Sequence, residues 1–486
     1  MTPHQILTES FGHASFRGPQ QAIIDRLLGG GHSLVIMPTG GGKSLCYQVP
    51  ALVLAARERA LRPLVVVLSP LVALMKDQVD ALTARGIDAA FINSSLTRES
   101  RELRQQEIIA GRCSLLYVTP ERFRKPEFRE AIRGRRVPLL AVDEAHCVSE
   151  WGHDFRPDYT RLAEIRQLLG EPVTVALTAT ATPAVQADIL RQLGLEPAAV
   201  AVFHEGIDRP NLAIAVAECW GDDDKLEHVV ASTRRHLAPG ATGSGIVYFT
   251  LIRTLEHFST LLRQQGLPHR RYHGDLDRDT RRRVQAEFMA GQGELVLATN
   301  AFGMGIDKDD IRFVIHAEVP GSMESWYQEI GRAGRDGQPA DCLLLYDQRD
   351  LLTQMEFIEW RNPEPAVYER LYDILARQPE EVAAFGLPWL RARLQASGRH
   401  DRRLETALAM LERHDAIEGE WRDEDHVTIR LKGDLPLELT DGEALAAKLR
   451  RDREKLLALV EFVQHPDDRR AFIRDYFGLP LPGLSP

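Results

Sequence analysis

The sequence predicts an α/β protein in which two doubly wound parallel-sheet lobes precede a small, mostly helical C-terminal region. Three observations predict it. Short apolar runs alternate with stretches long enough for crossover helices, this alternation stops and restarts once, and the composition turns helical after Asp350. At ~100–200 residues per domain, the 486 residues suggest about three domains.

Ser33–Met37, Leu64–Leu68, Leu115–Val118, Leu139–Val142 and Val173–Leu177 read as buried strands. Their apolar character is continuous rather than alternating, as in parallel strands covered on both faces. They define a first lobe over 1–205. His204–Leu212 reads as loop. Gly245–Phe249, Glu294–Ala298, Phe313–His316 and Cys342–Tyr346 then define a second lobe over 206–350. Arg361–Pro365 is a breaker, Leu371–Leu394 and Arg402–His414 read as helices, and Val427–Leu431 reads as a short alternating strand. A turn at Lys432–Pro436 hints at a protruding hairpin tip, so a helical linker and winged-helix-like domain is expected over 351–440. Gly442–Phe477 is helical again, making 441–486 a closing helical piece.

Hydrophobic residues at 44% and charged residues at 27% describe a folded chain. No apolar run reaches the ~18 residues of a membrane helix. The start, MTPHQILTES, has no apolar segment of the secretory kind, so a cytoplasmic location is expected. The five cysteines are scattered and never spaced as CxxC, which argues for a reducing compartment, no disulfide framework and no zinc. A net charge of −10 speaks against a wholesale nucleic-acid coat but not against a basic groove. Local clusters such as Arg133, Arg135 and Arg136, or Arg281, Arg282 and Arg283, read singly as solvated surface.

The first chemical motif follows the strand Ser33–Met37. In PTGGGKS, Pro38–Ser44, residues Gly40, Gly41 and Gly42 let backbone N–H groups turn toward phosphate oxygens, and the next helix adds its positive dipole end. Lys43 would reach the β- and γ-phosphates, and the Ser44 hydroxyl would ligate Mg²⁺. The usual leading glycine is Met37 here. About a hundred residues later, Leu139–Val142 ends in Asp143-Glu144-Ala145-His146. Carboxylates at a strand's C-terminal end sit where doubly wound sheets bind ligands. Asp143 would hold Mg²⁺, Glu144 would orient and deprotonate an attacking water, and His146 would couple the lobes. In the second lobe, QEIGRAGRDG (Gln328–Gly337) places Arg332 and Arg335 three residues apart on one face. A charged fork suits a γ-phosphate as charge develops, with Arg335 as the finger and Arg332 as a second contact. Such an arginine makes hydrolysis depend on lobe closure.

Together these boxes resemble the RecQ family of helicases. Phe11-Gly12 with Phe16-Arg17-Gly18-Pro19-Gln20, MPTGGGKSLCYQ (Met37–Gln48), AVDEAHCVSEWGHDFRPDY (Ala141–Tyr159), ALTATAT (Ala176–Thr182), ATNAFGMGIDK (Ala298–Lys308) and QEIGRAGRDG are similar to that family in order and wording over about residues 5–350. The resemblance implies RecA-like lobes and an ATP- and Mg²⁺-dependent helicase of superfamily 2. It would move 3′ to 5′ on single-stranded and forked DNA in recombination and repair. Strand-inert remodelling, or action on RNA, are the alternatives.

By the same resemblance Arg17, Gln20 and Thr39 join Gly40–Ser44 around the nucleotide, with Gln20 reading adenine. Trp151, His153, Phe155 and Arg156 form an aromatic-rich loop that couples DNA to hydrolysis. Aromatic faces and an arginine plane stack unpaired bases at ~1–3 kcal/mol each. Position 150 is Glu where the family pattern has Gln. Thr178 and Thr180 would link lobes or contact DNA, and Gly305 and Asp307 would couple nucleotide to lobe. The C-terminal region departs from the pattern. No cysteine follows Cys342, and Asp468 in DRRAFIRDYFG (Asp468–Gly478) stands where the first zinc cysteine would be. Packing by Leu456, Phe462, Phe472 and Phe477 is expected in zinc's place.

Overall fold

A computed structural model describes residues 1–38, 40–70, 72–93, 96–149, 159, 161–205, 209–238, 240, 243–291, 294–303, 306–394, 401–421, 427–465 and 468–479. The chain divides into two compact units. One comprises 1–318, 324–345 and 465–486, and the other 319–323 and 346–464.

The first unit holds two sheets. The first contains β1 (His32–Ile36), β2 (Val65–Leu68), β3 (Ala89–Ile92), β4 (Leu115–Val118), β5 (Leu139–Val142), β6 (Val173–Thr178) and β7 (Val200–His204), in the order β3-β4-β2-β5-β6-β1-β7. Every pairing is parallel. All residues of β2, β4 and β5 are buried, because helices cover both faces. Phe128 and Val66 lie in the core on one side, Tyr117 and Ile23 in that on the other. Each such side chain contributes about 1.5–3 kcal/mol of burial. The order brings the carboxyl ends of β5, β6 and β1 side by side, with Val142 opposite Ala176 and Ile36 opposite Thr178.

The second sheet contains β8 (Leu212–Glu218), β9 (Ser244–Tyr248), β10 (Arg270–Tyr272), β11 (Leu295–Ala298), β12 (Ile311–His316) and β13 (Ala340–Tyr346), in the order β10-β11-β9-β12-β13-β8. The helix Met323–Ile330 lies between β12 and β13 and leads into the arginine turn.

The sequence reading omits β3, β7, β8 and β10. All are sheet-edge strands or carry half-exposed residues: β3 and β8 alternate in burial, and β10 is a three-residue RRY run. Edge strands lack the continuous apolar signature of a covered strand.

The second unit contains the helices Asp350–Arg361, Pro365–Arg377, Pro379–Arg393, Arg403–Arg413 and Gly442–Gln464, and an antiparallel hairpin of β14 (Ile417–Glu420) and β15 (Thr428–Leu431). Tyr368, Leu390, Leu404, Leu408 and Trp421 form its core. Three expectations are corrected. Leu371–Leu394 is not one helix, because Gln378 precedes Pro379 and leaves the helical region (φ −133°, ψ 46°), Pro379 opens the next helical segment, and that segment kinks at Gly386 (φ 64°, ψ −160°). The Lys432–Pro436 turn is not a hairpin tip, since it follows β15. Gly442–Phe477 is not one helix either. Gly442–Gln464, with Leu456 and Phe462 buried, belongs to the second unit, whereas a separate helix, Arg469–Tyr476, belongs to the first. Asp468 caps that last helix, its carboxylate accepting from the Arg470 N–H at 2.9 Å. Phe477 is buried and Phe472 half-buried.

Candidate nucleotide site

The phosphate loop leaves β1 and enters the helix Leu45–Arg57, which Ser44 heads without spending its hydroxyl on a cap. Gly40 (φ 82°) and Gly42 (φ 77°) adopt left-handed backbone, open to glycine at no steric cost. Lys43 folds back under the loop, its Nζ donating to the carbonyls of Met37 at 3.0 Å and Pro38 at 3.2 Å. Burial pulls its ammonium below the usual range, while Glu144 and Asp143 draw it up.

Gln20 is buried beneath the loop. Its Nε2 donates to the carbonyls of Gly41 at 3.1 Å and Gly42 at 3.2 Å, and its Oε1 accepts from the Arg17 N–H at 2.9 Å. The amide thus ties the segment before the first strand to the phosphate loop. The Arg17 residue itself is exposed. A Cβ on Gly42 would sit 2.5 Å from Gln20 Nε2. Gly42→Ala is therefore expected to displace Gln20, strain the loop and weaken nucleotide binding by about tenfold or more. Titration with a fluorescent ATP analogue measures this, and wild-type affinity would remove Gln20 from the loop's support.

Asp143 and Glu144 follow β5. The Asp143 amide donates to Leu68 O at 2.8 Å, and its carboxylate accepts from the Glu144 N–H at 3.0 Å. Burial first, and the Glu144 charge second, push the Asp143 carboxyl up to about 7, against the pull of Lys43. Glu144 has left-handed backbone (φ 48°), a conformation costing of order 1 kcal/mol that concentrates at functional sites. Its Oε2 is buried, has no hydrogen-bond partner among the described residues and lies 3.4 Å from His146 Nδ1. This donor set fits a divalent cation. The buried Asp143 carboxylate and the half-buried Glu144 follow one another near Lys43, and the cost of ionising Asp143 falls if a dication shares the charge.

Thr178, at the end of β6, gives its one hydroxyl proton to Thr180 O at 2.9 Å. His146 Nδ1, 3.0 Å from the same oxygen, must therefore be the donor to it. This contact and the approach to Glu144 tie His146 within its own lobe, linking the acidic box to the Thr178–Thr180 strand end.

From the second sheet, Arg332 is buried and donates to the Gly303 carbonyl. Arg335 pairs with Asp307 and reaches the phosphate loop of the first lobe. A Cβ on Gly40 would lie 3.6 Å from Arg335 Cγ, and the Arg335 charge acts on Lys43. The structure thus gathers Gln20, Gly40–Ser44, Asp143, Glu144, His146, Thr178, Asp307 and Arg335 in one region. Thr39, Glu150, Trp151, His153, Phe155, Arg156 and Gly305 lie outside the described residues. Sequence reasoning missed Glu205, just beyond β7. A Cβ on Gly18 would meet its Oε1 at 2.4 Å and one on Gly41 its Oε2 at 3.2 Å. Burial raises this carboxyl and Lys43 lowers it. It also missed Arg209 and Asn211, which hold the arginine turn. No local pattern marks any of the three.

Two parallel-sheet lobes, one with a phosphate loop and an acidic box and the other presenting an arginine to it, define a helicase core. The DEAD/DEAH box helicase model matches residues 17–189, and the helicase conserved C-terminal domain model matches 225–337. The chain is 41% identical over 379 residues to the ATP-dependent DNA helicase RecQ of Haemophilus influenzae, covering 78% of this chain and 56% of that one. It is 39% identical over 374 residues to the probable ATP-dependent DNA helicase RecS of Bacillus subtilis, covering 76% of this chain and 71% of that one. The chain belongs to the RecQ family of helicases. It spans little more than half the length of the Haemophilus relative. Saccharomyces cerevisiae Dbp5 bound to RNA and ADP BeF3 shares the fold, with a TM-score of 0.58 at 16% identity over 74% of this chain and 91% of that chain. No helix among the described residues is long and apolar enough to cross a membrane.

Proposed function

We propose that this chain is an ATP-dependent DNA helicase that translocates 3′ to 5′ on single-stranded DNA and separates duplexes at forks, in recombination and repair. The observation that carries the reading is Arg335, which comes from the second lobe and stands against the phosphate loop of the first. One nucleotide held there touches both lobes, so its hydrolysis changes their grip.

In this reading the loop N–H groups and the Lys43 ammonium bind the β- and γ-phosphates, with Thr39 beside them and Arg17 and Gln20 toward the base. Ser44 and Asp143 would hold Mg²⁺, which when bound screens the phosphate charge. Glu144 orients the attacking water and takes its proton. Arg335, steadied by Asp307, stabilises charge on the γ-phosphoryl group, with Arg332 behind it. Trp151, His153, Phe155 and Arg156 come soon after Glu144 in the sequence, so a strand stacked on them would act on the catalytic carboxylate. His146, Thr178 and Thr180 relay that contact.

A directional assay tests the proposal, using 3′-tailed and 5′-tailed duplexes with and without ATP. The expected result is strand separation on the 3′-tailed duplex alone, and only with ATP. Separation from the 5′ tail would reverse the polarity. DNA-stimulated hydrolysis without separation would identify a remodeller, and stimulation by RNA instead of DNA an RNA helicase.

A further inference from the structure

The finger needs something to aim it. Asp307, its ion-pair partner, has a side chain 79% exposed while that of Arg335 is 6% exposed, so packing fixes only the arginine end of the pair. The backbone turn that carries Arg335 supplies the rest of its placement.

That turn is gripped by residues from another part of the chain. The Arg209 guanidinium donates to Ala333 O at 2.7 Å, Gly334 O at 2.8 Å and Gly331 O at 3.4 Å. Asn211 Nδ2 donates to Gly334 O at 2.8 Å and Gln338 O at 2.9 Å. These carbonyls lie just past the C-terminus of the helix Met323–Ile330, where the dipole favours a cation and carbonyls lack partners. Gly334 adopts φ +57°, and a Cβ there would lie 2.4 Å from Asn211 Nδ2, so the clamp closes directly on the turn.

The clamp is itself held. Arg470, on the last helix, donates through Nη1 to Arg209 O at 3.0 Å and through Nη2 to Leu212 O. The same helix bonds the element before the turn, Tyr476 OH donating to Glu324 Oε1 at 2.9 Å, and the Phe477 and Tyr327 rings lie 5.5 Å apart.

We propose that Arg470 is a positioning residue for Arg335: by fixing the backbone of 209–212, it sets the Arg209–Asn211 clamp that aims the finger at the γ-phosphate. This rests on the reading of Arg335 as the finger. Arg470 bonds the backbone carbonyls of Arg209 and Leu212, so its proposed effect on Arg335 runs through the clamp. A small misplacement of a reacting group far from the chemistry can cost ~10²-fold, so a loosened clamp is expected to act on turnover rather than on binding.

The test measures DNA-stimulated ATP hydrolysis by the full chain, as R470A, R335A and R335A/R470A. Thermal melts and titration with a fluorescent ATP analogue accompany each. R470A is expected to lose about tenfold in kcat, with ATP KM and analogue affinity within about twofold of wild type. In the R335A background the same substitution should cost nothing further, because a finger that is absent cannot be misaimed. A merely destabilising change would instead lower kcat by the same factor in both backgrounds, and that result overturns the proposal. So does wild-type turnover in R470A while R335A is slow. Wild-type turnover in R335A would sink the finger reading, and this proposal with it. If R470A does not melt cooperatively, R470Q, which keeps one donor on a shorter stem, carries the same comparison.

Discussion

The Glu144→Gln protein is expected to bind ATP within a few-fold of wild type and to hydrolyse it about a thousandfold more slowly. A positioned general base supplies ~10²–10⁴ in rate, and glutamine keeps the shape of glutamate without its basicity. The geometry makes the substitution clean. Glu144 Oε2 is buried and without a hydrogen-bond partner among the described residues, and the isosteric amide can keep its oxygen toward His146 Nδ1, 3.4 Å away. Glu144 also raises the Asp143 carboxyl, and its neutralisation should let Asp143 ionise more readily, which preserves rather than weakens cation binding. Single-turnover hydrolysis, set beside analogue titration, separates the two quantities. Turnover within tenfold of wild type would mean that another group takes the proton.

Arg335→Ala is expected to lower DNA-stimulated hydrolysis by roughly a thousandfold, the low end of what an arginine finger supplies. Binding should change little, because the loop amides and Lys43 belong to the other lobe. Arg335→Lys should recover only a small part, since an ammonium cannot present two parallel donors to phosphate oxygens. The decisive quantity is kcat measured at saturating ATP and DNA. A variant that loses affinity but keeps kcat would place Arg335 in ground-state binding and remove the link between closure and chemistry.

How much of this was legible beforehand depends on where the information lies in the chain. β2, β4 and β5 were readable because a strand covered on both faces must be apolar at every position. β8 was not, because its exposed residues alternate with partly buried ones and dilute the signal. The positions of Lys43, Asp143 and Glu144 at a loop and a strand end were readable because loop, strand end and helix start are consecutive residues, and their types suit the phosphate and cation chemistry proposed for them. The supporting residues were not. Arg470 and the carbonyl of Arg209 that it holds are 261 positions apart, and an arginine that serves a backbone carbonyl looks in sequence like any surface arginine. Glu205 is equally silent, a lone carboxylate just past an edge strand whose proximity to Gly18 and Gly41 exists only in three dimensions. Gln20 was found by resemblance, but its bonds to the Gly41 and Gly42 carbonyls were not foreseeable from residue type.

The meeting of Arg335 with Gly40 and Lys43 has a kinetic consequence. On the proposed reading, the cation that would complete the nucleotide pocket is supplied in cis, by the polypeptide that owns the phosphate loop. Assembly of the pocket is therefore unimolecular, with an effective concentration set by the tether between the lobes rather than by how many molecules are in solution. On that reading, specific activity would not fall on dilution.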